Sequence, residues 1–437
     1  MGEKRGATEA EVQRGIMGRV AVASFMGSLI EFYDLLLFSL AAALVFSAVY
    51  YPSLGDAAGT AASFATLGVA LVARPLGSII FGHFGDRFGR KKTLVVTLLM
   101  MGAATVLVGL VPTSEQIGVA APILLVLLRI VQGLAAGGEW AGAVNFAAEY
   151  APNEKRGLWT MFPMLGGGVA VALAPAVFAL TSASMSDEAF LSYGWRIPFL
   201  LSAVLIAVGL YIRLAIDETP VFERAQDEGK SSRVPFVDAW LNQPRQILLG
   251  IGAVISMSTM SYMGVAYLPN YATNELGLSR TTVLTMGIAA GVFYSIAIAI
   301  SGAAADLIGR RRMLLGANGL AVIWALALFQ LMGTGNAVTF GLSLGITLFI
   351  AGLALGPLGA ALSELFDTRY RYTASGFSYS AAQIVGGAIP PFVAAPIIAS
   401  VGVTVFSMFI TGLCLISLLS IMLMRDSGGI DLQNVGN

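Results

Sequence analysis

The chain reads as an all-α membrane protein of twelve transmembrane helices in two pseudo-symmetric six-helix bundles, on its composition, a repeated loop and the placement of its cations. Of 437 residues, 57% are hydrophobic and 11% charged, where soluble domains carry roughly 25% charge. The run Gly82-His83-Phe84-Gly85-Asp86-Arg87-Phe88-Gly89-Arg90-Lys91-Lys92 returns in skeleton as Gly302-Ala303-Ala304-Ala305-Asp306-Leu307-Ile308-Gly309-Arg310-Arg311-Arg312, with Gly302 and Asp306 each 220 residues after Gly82 and Asp86. Each copy reads as a cationic loop between two long apolar runs, so one membrane unit occurs twice.

A helix crosses the hydrocarbon core in about 20 apolar residues, and a sheet with free edges cannot cross at all. The first stretch, 17-47, follows a polar segment, 1-16, with no small-residue cleavage site, so it is expected to stay rather than be removed as a signal peptide. Stretches 58-82 and 92-111 flank the intact loop. Next come 118-149, which ends on Glu149, and 157-183, which follows Arg156 and carries Gly166-Gly167-Gly168, Pro163 and Pro175. Stretch 195-215 opens at Trp195-Arg196.

The hydrophilic segment 216-243, with Asp217, Glu218, Glu223, Arg224, Asp227, Glu228, Lys230 and Arg233, divides a bundle at 17-215 from one at 244-424. The second bundle has 244-273, then 281-305 and 312-332 around the degenerate loop, then 337-364, 371-399 and 402-424, before a tail at 425-437. Glu364 precedes Arg371 by seven residues, as Glu149 precedes Arg156. Gly386-Gly387 and Pro390-Pro391, like the glycines and prolines of 157-183, mark helices able to bend or to pack closely.

Short loops rich in Lys and Arg stay in the cytoplasm. With the N-terminus inside, 21 of the 25 cations fall on inner segments. Arg196 and Arg280 lie near the outer side, and Arg74 and Arg129 inside apolar runs. A missed helix would have blurred this bias. Both termini are therefore expected in the cytoplasm and the chain in a bacterial plasma membrane, which the lack of any Asn-x-Ser/Thr sequon fits.

Several functions lose support. The cations are a topology signal, not a nucleic-acid surface. Cys414 is the single cysteine and His83 the single histidine, so neither a disulfide, a thiolate cluster nor a metal site is expected, and His83 reads as a solvated loop residue. There is no Gly-x-x-x-x-Gly-Lys-Ser/Thr phosphate loop, so energy is expected from a gradient, with no cofactor. An enzyme would need a nucleophile, base and acid at membrane depth, and a sensor an output module. Neither is found.

The spacing Gly82-x-x-Gly85-Asp86-Arg87-x-Gly89-Arg90-Lys91 resembles the signature loop between the second and third helices of the major facilitator superfamily. Within it the chain resembles the metabolite:proton symporters at Glu31-Phe32-Tyr33-Asp34, Arg129-Ile130-Val131-Gln132-Gly133 with Gly137-Gly138-Glu139-Trp140, Gly194-Trp195-Arg196-Ile197-Pro198-Phe199 and Glu218-Thr219-Pro220-Val221-Phe222. These pieces span the first half. In the second loop Leu307 replaces the arginine, so that copy is expected to be mainly an anchor.

Ionisable groups at membrane depth cost several kcal/mol unless paired or wetted, which makes them functional candidates. Here they are Glu31, Asp34, Arg74, Arg129 and Glu139. Glu31 and Asp34 lie three residues apart on neighbouring parts of one helical face. A carboxylate there is neutral when desolvated and ionised when an arginine approaches, so making or breaking that contact moves a proton. The resemblance implies that Asp34 and Arg129 form the coupling pair; the alternative is a static ion pair. Glu139, about 15 Å along the axis from Arg129, reads as a second proton or substrate site or as a hydrogen bond across a glycine-lined interface. Arg74 offers forked donors to a carboxylate or a partner to Glu31 or Asp34. Arg196 reads as snorkelling to the interface, and the family resemblance leaves a substrate role open.

Arg74, Arg129, Tyr33, Gln132, Tyr262, Tyr267, Asn270, Tyr271, Tyr379 and Gln383 are candidate substrate contacts, with interfacial belts the competing explanation for the tyrosines. For the loop, Asp86 is expected at the positive N-terminal end of the eleventh helix near Arg371, and Arg87, Arg90 and Lys91 on helix-terminal carbonyls and Glu149. With Gly82, Gly85, Gly89, Arg156, Asp306 and Glu364 they form the expected gating set, closing the cytoplasmic side. Transporters built from such repeats bind near mid-membrane between the halves and alternate access by rocking. The family resemblance implies proton-coupled uptake of a small organic acid or zwitterionic solute by a monomer. A proton-driven exporter is the alternative.

Overall fold

The computed structural model describes residues 2–227, 233–333 and 335–425. Of the segments expected outside the bundles, 228–232 of the central loop and 426–437 of the tail lie outside the described residues. Among those described, twelve helices are long and apolar enough to cross a membrane. They are α1 (Gly15–Leu44), α2 (Ala61–Phe88), α3 (Arg90–Leu110), α4 (Ala120–Tyr150), α5 (Asn153–Ala183), α6 (Gly194–Leu214), α7 (Pro244–Asn274), α8 (Thr281–Ile308), α9 (Arg310–Met332), α10 (Ala337–Leu365), α11 (Arg371–Val401) and α12 (Val403–Leu423). Between α6 and α7 two short helices, Pro220–Asp227 and Pro235–Asn242, occupy the polar segment.

The repeat is visible in the packing. Helix α2 lies against α4 and α8 against α10 within their halves, while α2 against α11 and α5 against α8 join the halves. Leucine, phenylalanine and valine side chains exposed along α6, α8 and α12 face outward, as lipid-facing surfaces must. Inside, glycines let backbones approach. A Cβ on Gly166 would run into the backbone of α1 at Phe25, and one on Gly168 into Ser295 of α8. The glycine run of α5 thus serves close packing.

One expectation about both loops changes. The motif residues 82-88 and 302-308 are helical, so each "loop" is a single break at Gly89 (φ 117°) or Gly309 (φ 101°). These backbone conformations suit only glycine. Beside Gly89, Glu218 accepts from the Arg90 and Lys91 N–H groups at 3.1 Å and caps α3. Burial raises the Glu218 carboxyl above its ordinary range, against the lowering pull of the Thr219 and Lys91 N–H groups and Arg90.

In the second halves of α7 and α11 the helix widens into π-turns, Met263–Tyr267 and Gln383–Ala388. Such bulges interrupt the regular hydrogen-bond ladder and often mark working sites. Both begin beside the polar centre described next.

Candidate functional site

Among the described residues the buried charges include three groups beside the Glu139–Arg213 pair. At the centre, Arg74 of α2 reaches Glu31 of α1 at 3.1 Å and Gln383 of α11 at 2.7 Å, and the Tyr262 hydroxyl of α7 donates to the same Gln383 oxygen at 3.2 Å. Arg74 therefore joins the two halves. Neither Glu31 oxygen has a hydrogen-bond partner among the described residues, and the residue is 1% exposed. Below this group, towards the motif end, Trp140 of α4 stacks on Tyr379 of α11 with ring centres 3.7 Å apart and planes 5° from parallel. Tyr379 sits one turn before Gln383, so both face the first half.

The second group lies within the first half. Asp34 accepts from Thr105 at 2.7 Å, Gln132 at 2.6 Å and Arg129 at 3.2 Å, and the Arg129 guanidinium lies over the Phe38 ring at 4.0 Å. Gln132, a candidate substrate contact, here donates to Asp34 and accepts from Arg129 at 2.9 Å. Tyr33, expected at the substrate, turns its hydroxyl to the Pro198 carbonyl at 3.4 Å. In the second half Tyr267 and Tyr271 pack against Phe329, away from Arg74. Asn270 lines a cavity of about 460 Å³ between the ends of α1, α5, α7, α8 and α10 remote from the motifs, with Leu40, Leu44, Pro175 and Asn274.

The third group crosses the halves at the motif end. Asp86 accepts from the Tyr372 and Thr373 N–H groups at 3.1 and 2.9 Å and from the Thr373 hydroxyl at 2.7 Å, at the start of α11 as expected. Its repeat, Asp306, does the same at the start of α5, accepting from Gly157 and Leu158 N–H at 2.8 Å each. The degenerate copy is therefore not mainly an anchor. Leu307 is 89% exposed and takes no part; the cap needs the carboxylate and a helix end, not the missing arginine.

Around each cap the repeat continues. Glu149 meets Arg90 at 3.3 Å and Arg371 at 3.4 Å, while Glu364 meets Arg310 at 3.3 Å and Arg156 at 2.7 Å. Gly85 lets Tyr372 approach, since a Cβ would enter its ring, and a Cβ on Gly82 would strike Thr373. Lys91 donates to the Leu214 carbonyl at 3.2 Å. Arg87, expected on helix carbonyls, is instead exposed, with its guanidinium 5.4 Å from the Phe88 ring centre. His83 is half-buried, edge-on to Phe84.

A residue family model described as Major Facilitator Superfamily matches residues 25–391. The chain belongs to the major facilitator superfamily. The "Inner membrane metabolite transport protein YhjE" of Escherichia coli is 39% identical over 414 residues, 94% of each chain, and the "Shikimate transporter" of the same organism 37% over 417 residues, again 94% of each. Among solved structures, the superfamily's proton:xylose symporter XylE bound to 6-bromo-6-deoxy-D-glucose superposes with a TM-score of 0.78 at 17% identity, over 97% of this chain and 99% of that one. The protein is thus a multi-pass membrane transporter of a metabolite or other solute, not an enzyme, with the two-bundle major facilitator fold.

Two charged contacts escaped the sequence reading. Arg213 falls where a cytoplasmic loop cation was expected, yet it is 4% exposed and pairs with Glu139. Its position near a helix end hid it. Arg196, expected to snorkel, is half-buried and donates to the Gly109 and Val111 carbonyls at 2.8 and 2.7 Å, capping α3.

Proposed function

We propose that the chain is a proton-coupled symporter taking up a small organic carboxylate, with Arg74 as the anion anchor and Glu31 as the coupling acid. The observation that carries this is Arg74 itself, held between Glu31 of one half and Gln383 of the other. An incoming carboxylate matches the guanidinium fork and must displace Glu31. That carboxylate, buried and without other hydrogen bonds, is then driven to take a proton. Substrate and proton enter the site together. Asp34, with three donors, has no such need, so the coupling role passes from Asp34 to Glu31.

The motif end, cytoplasmic by its cations, is closed by the two capped clusters, while the 460 Å³ cavity lies towards the opposite end. This is an outward-facing arrangement, in which both termini lie in the cytoplasm of a bacterial inner membrane. The similarity to a shikimate transporter favours a cyclic, hydroxylated carboxylate.

Proteoliposomes with an imposed inward proton gradient test the reading against a panel of organic acids, betaines and amino acids that includes shikimate. Accumulation of carboxylates with proton entry supports it. Expulsion would establish an exporter, and uptake indifferent to the gradient would remove the coupling.

A further inference from the structure

Glu139 and Arg213 are paired inside the first half, where rocking of the halves neither makes nor breaks their contact. Glu139 is wholly buried in α4, paired with Arg213 of α6, and also accepts from the Thr97 hydroxyl of α3 at 2.9 Å. Arg213 donates in addition to the Leu94 carbonyl at 2.6 Å. Gly27 of α1 faces both side chains, for a Cβ there would overlap the Arg213 guanidinium and the Glu139 carboxylate.

Helical spacing places Ser24, Gly27, Ser28 and Glu31 on one stripe of α1, so the residue pressed against Glu139 and Arg213 shares its face with Glu31. Ser24 and Ser28 are buried, and neither hydroxyl has a hydrogen-bond partner among the described residues. A buried hydroxyl left unpaired is costly, and two on successive turns of the stripe that carries Gly27 and Glu31 call for a reason. At the lower end, Ser24, Arg213, Lys91 and Leu94 line a void of about 10 Å³, roughly room for one water. Lys91 lies beside it at the surface.

We infer that Glu31, Ser28, Ser24 and Glu139 form a proton route through the first half to the motif end, separate from the path of the substrate. The inference rests on the proposed symport. After substrate leaves, Glu31 returns to Arg74 and gives up its proton; the two hydroxyls have no hydrogen-bond partner of their own, so water entering between them carries it to the Glu139 carboxylate. From there it leaves by water in the void beside Arg213 and Lys91. Other polar groups facing Glu139 are Thr97 of α3 and, from α11, Tyr372, whose hydroxyl donates to the Gly138 carbonyl at 2.7 Å.

The test uses the full-length protein in proteoliposomes with shikimate and the other panel carboxylates, reading internal pH, gradient-driven accumulation and counterflow exchange, which needs no net proton release. Glu139→Gln is expected to lower accumulation about tenfold and leave counterflow within about twofold, with Glu139→Asp restoring part of the loss. Ser24→Ala/Ser28→Ala, a change too small to disturb folding, is expected to slow proton entry several-fold with counterflow intact. Wild-type rates in the double serine variant would overturn the route, even if Glu139→Gln failed to fold. Equal loss of accumulation and counterflow in that variant would also overturn it. Absence of proton movement in the wild type would instead remove the symport reading.

Discussion

Arg156 of the first half reaches Glu364 of the second at 2.7 Å, and its counterpart in the repeat, Arg371, reaches Glu149 of the first at 3.4 Å. Each half thus gives the other an arginine and takes one in return. Together with the Asp86 and Asp306 caps, these contacts close one end of the molecule twice over.

Asp86→Asn and Asp306→Asn should therefore weaken that closure to similar degrees. A lost charge-assisted hydrogen bond costs about 1.5–3 kcal/mol, or roughly 10- to 100-fold in the open-to-closed ratio. A cysteine placed at Ala141, buried beside Gly376 of α11, reads it through its rate of thiol labelling; native Cys414 is buried and silent. An effect from Asp86→Asn alone would return the second copy to an anchoring role.

Arg74→Lys should impair substrate binding more than folding. A lysine keeps the charge but loses the fork that holds Glu31 and Gln383 together, so the KM for the carboxylate is expected to rise about 10- to 100-fold. Uptake kinetics decide it. An unchanged KM would place the anion elsewhere.

Glu31→Gln and Asp34→Asn separate the two acids of α1. Without a titratable group at position 31, gradient-driven accumulation should vanish while counterflow persists. Asp34→Asn leaves Arg129 buried without its counter-charge, which costs about 3–5 kcal/mol, so its main effect should be a lower melting temperature in detergent. If instead Asp34→Asn uncoupled a stable protein, the roles of the two acids would be reversed.

How far the sequence could be read differs with the kind of signal. Twelve helices and two halves follow from hydropathy, cation placement and the repeat, because the bilayer imposes length and sidedness on every span. Asp86 at the start of α11 was legible too, since a carboxylate near a motif of fixed spacing has few partners. Individual pairings were not. Arg213 looks like a loop cation because a helix end and a cytoplasmic loop have the same composition; only the fold brings it to Glu139. Tyr33 and Tyr267 carry the same side chain as Tyr262 and Tyr379, and rotation about the helix axis decides which pair meets Arg74. Leu307 misled in the other direction, as one changed residue suggested a weakened cap that the carboxylate and helix end still form.

Gly89→Ala should destabilise the protein more than Gly309→Ala. Both residues have backbone angles reserved for glycine, at about 1–3 kcal/mol for another residue. At Gly89 the new methyl also enters the Glu218 carboxylate, whereas Gly309 has nothing within 4 Å of the added carbon. Thermal melting of the two purified variants orders them, and equal loss would mean that Glu218 moves aside freely.

The exchanged arginines also bear on how the molecule is made. A ribosome completes the first bundle while Arg156 still lacks Glu364 and Asp86 lacks the start of α11, so that bundle waits with unmatched charges on its inner face. The second bundle brings the matching set. Each half thus carries charges whose partners only the other half supplies.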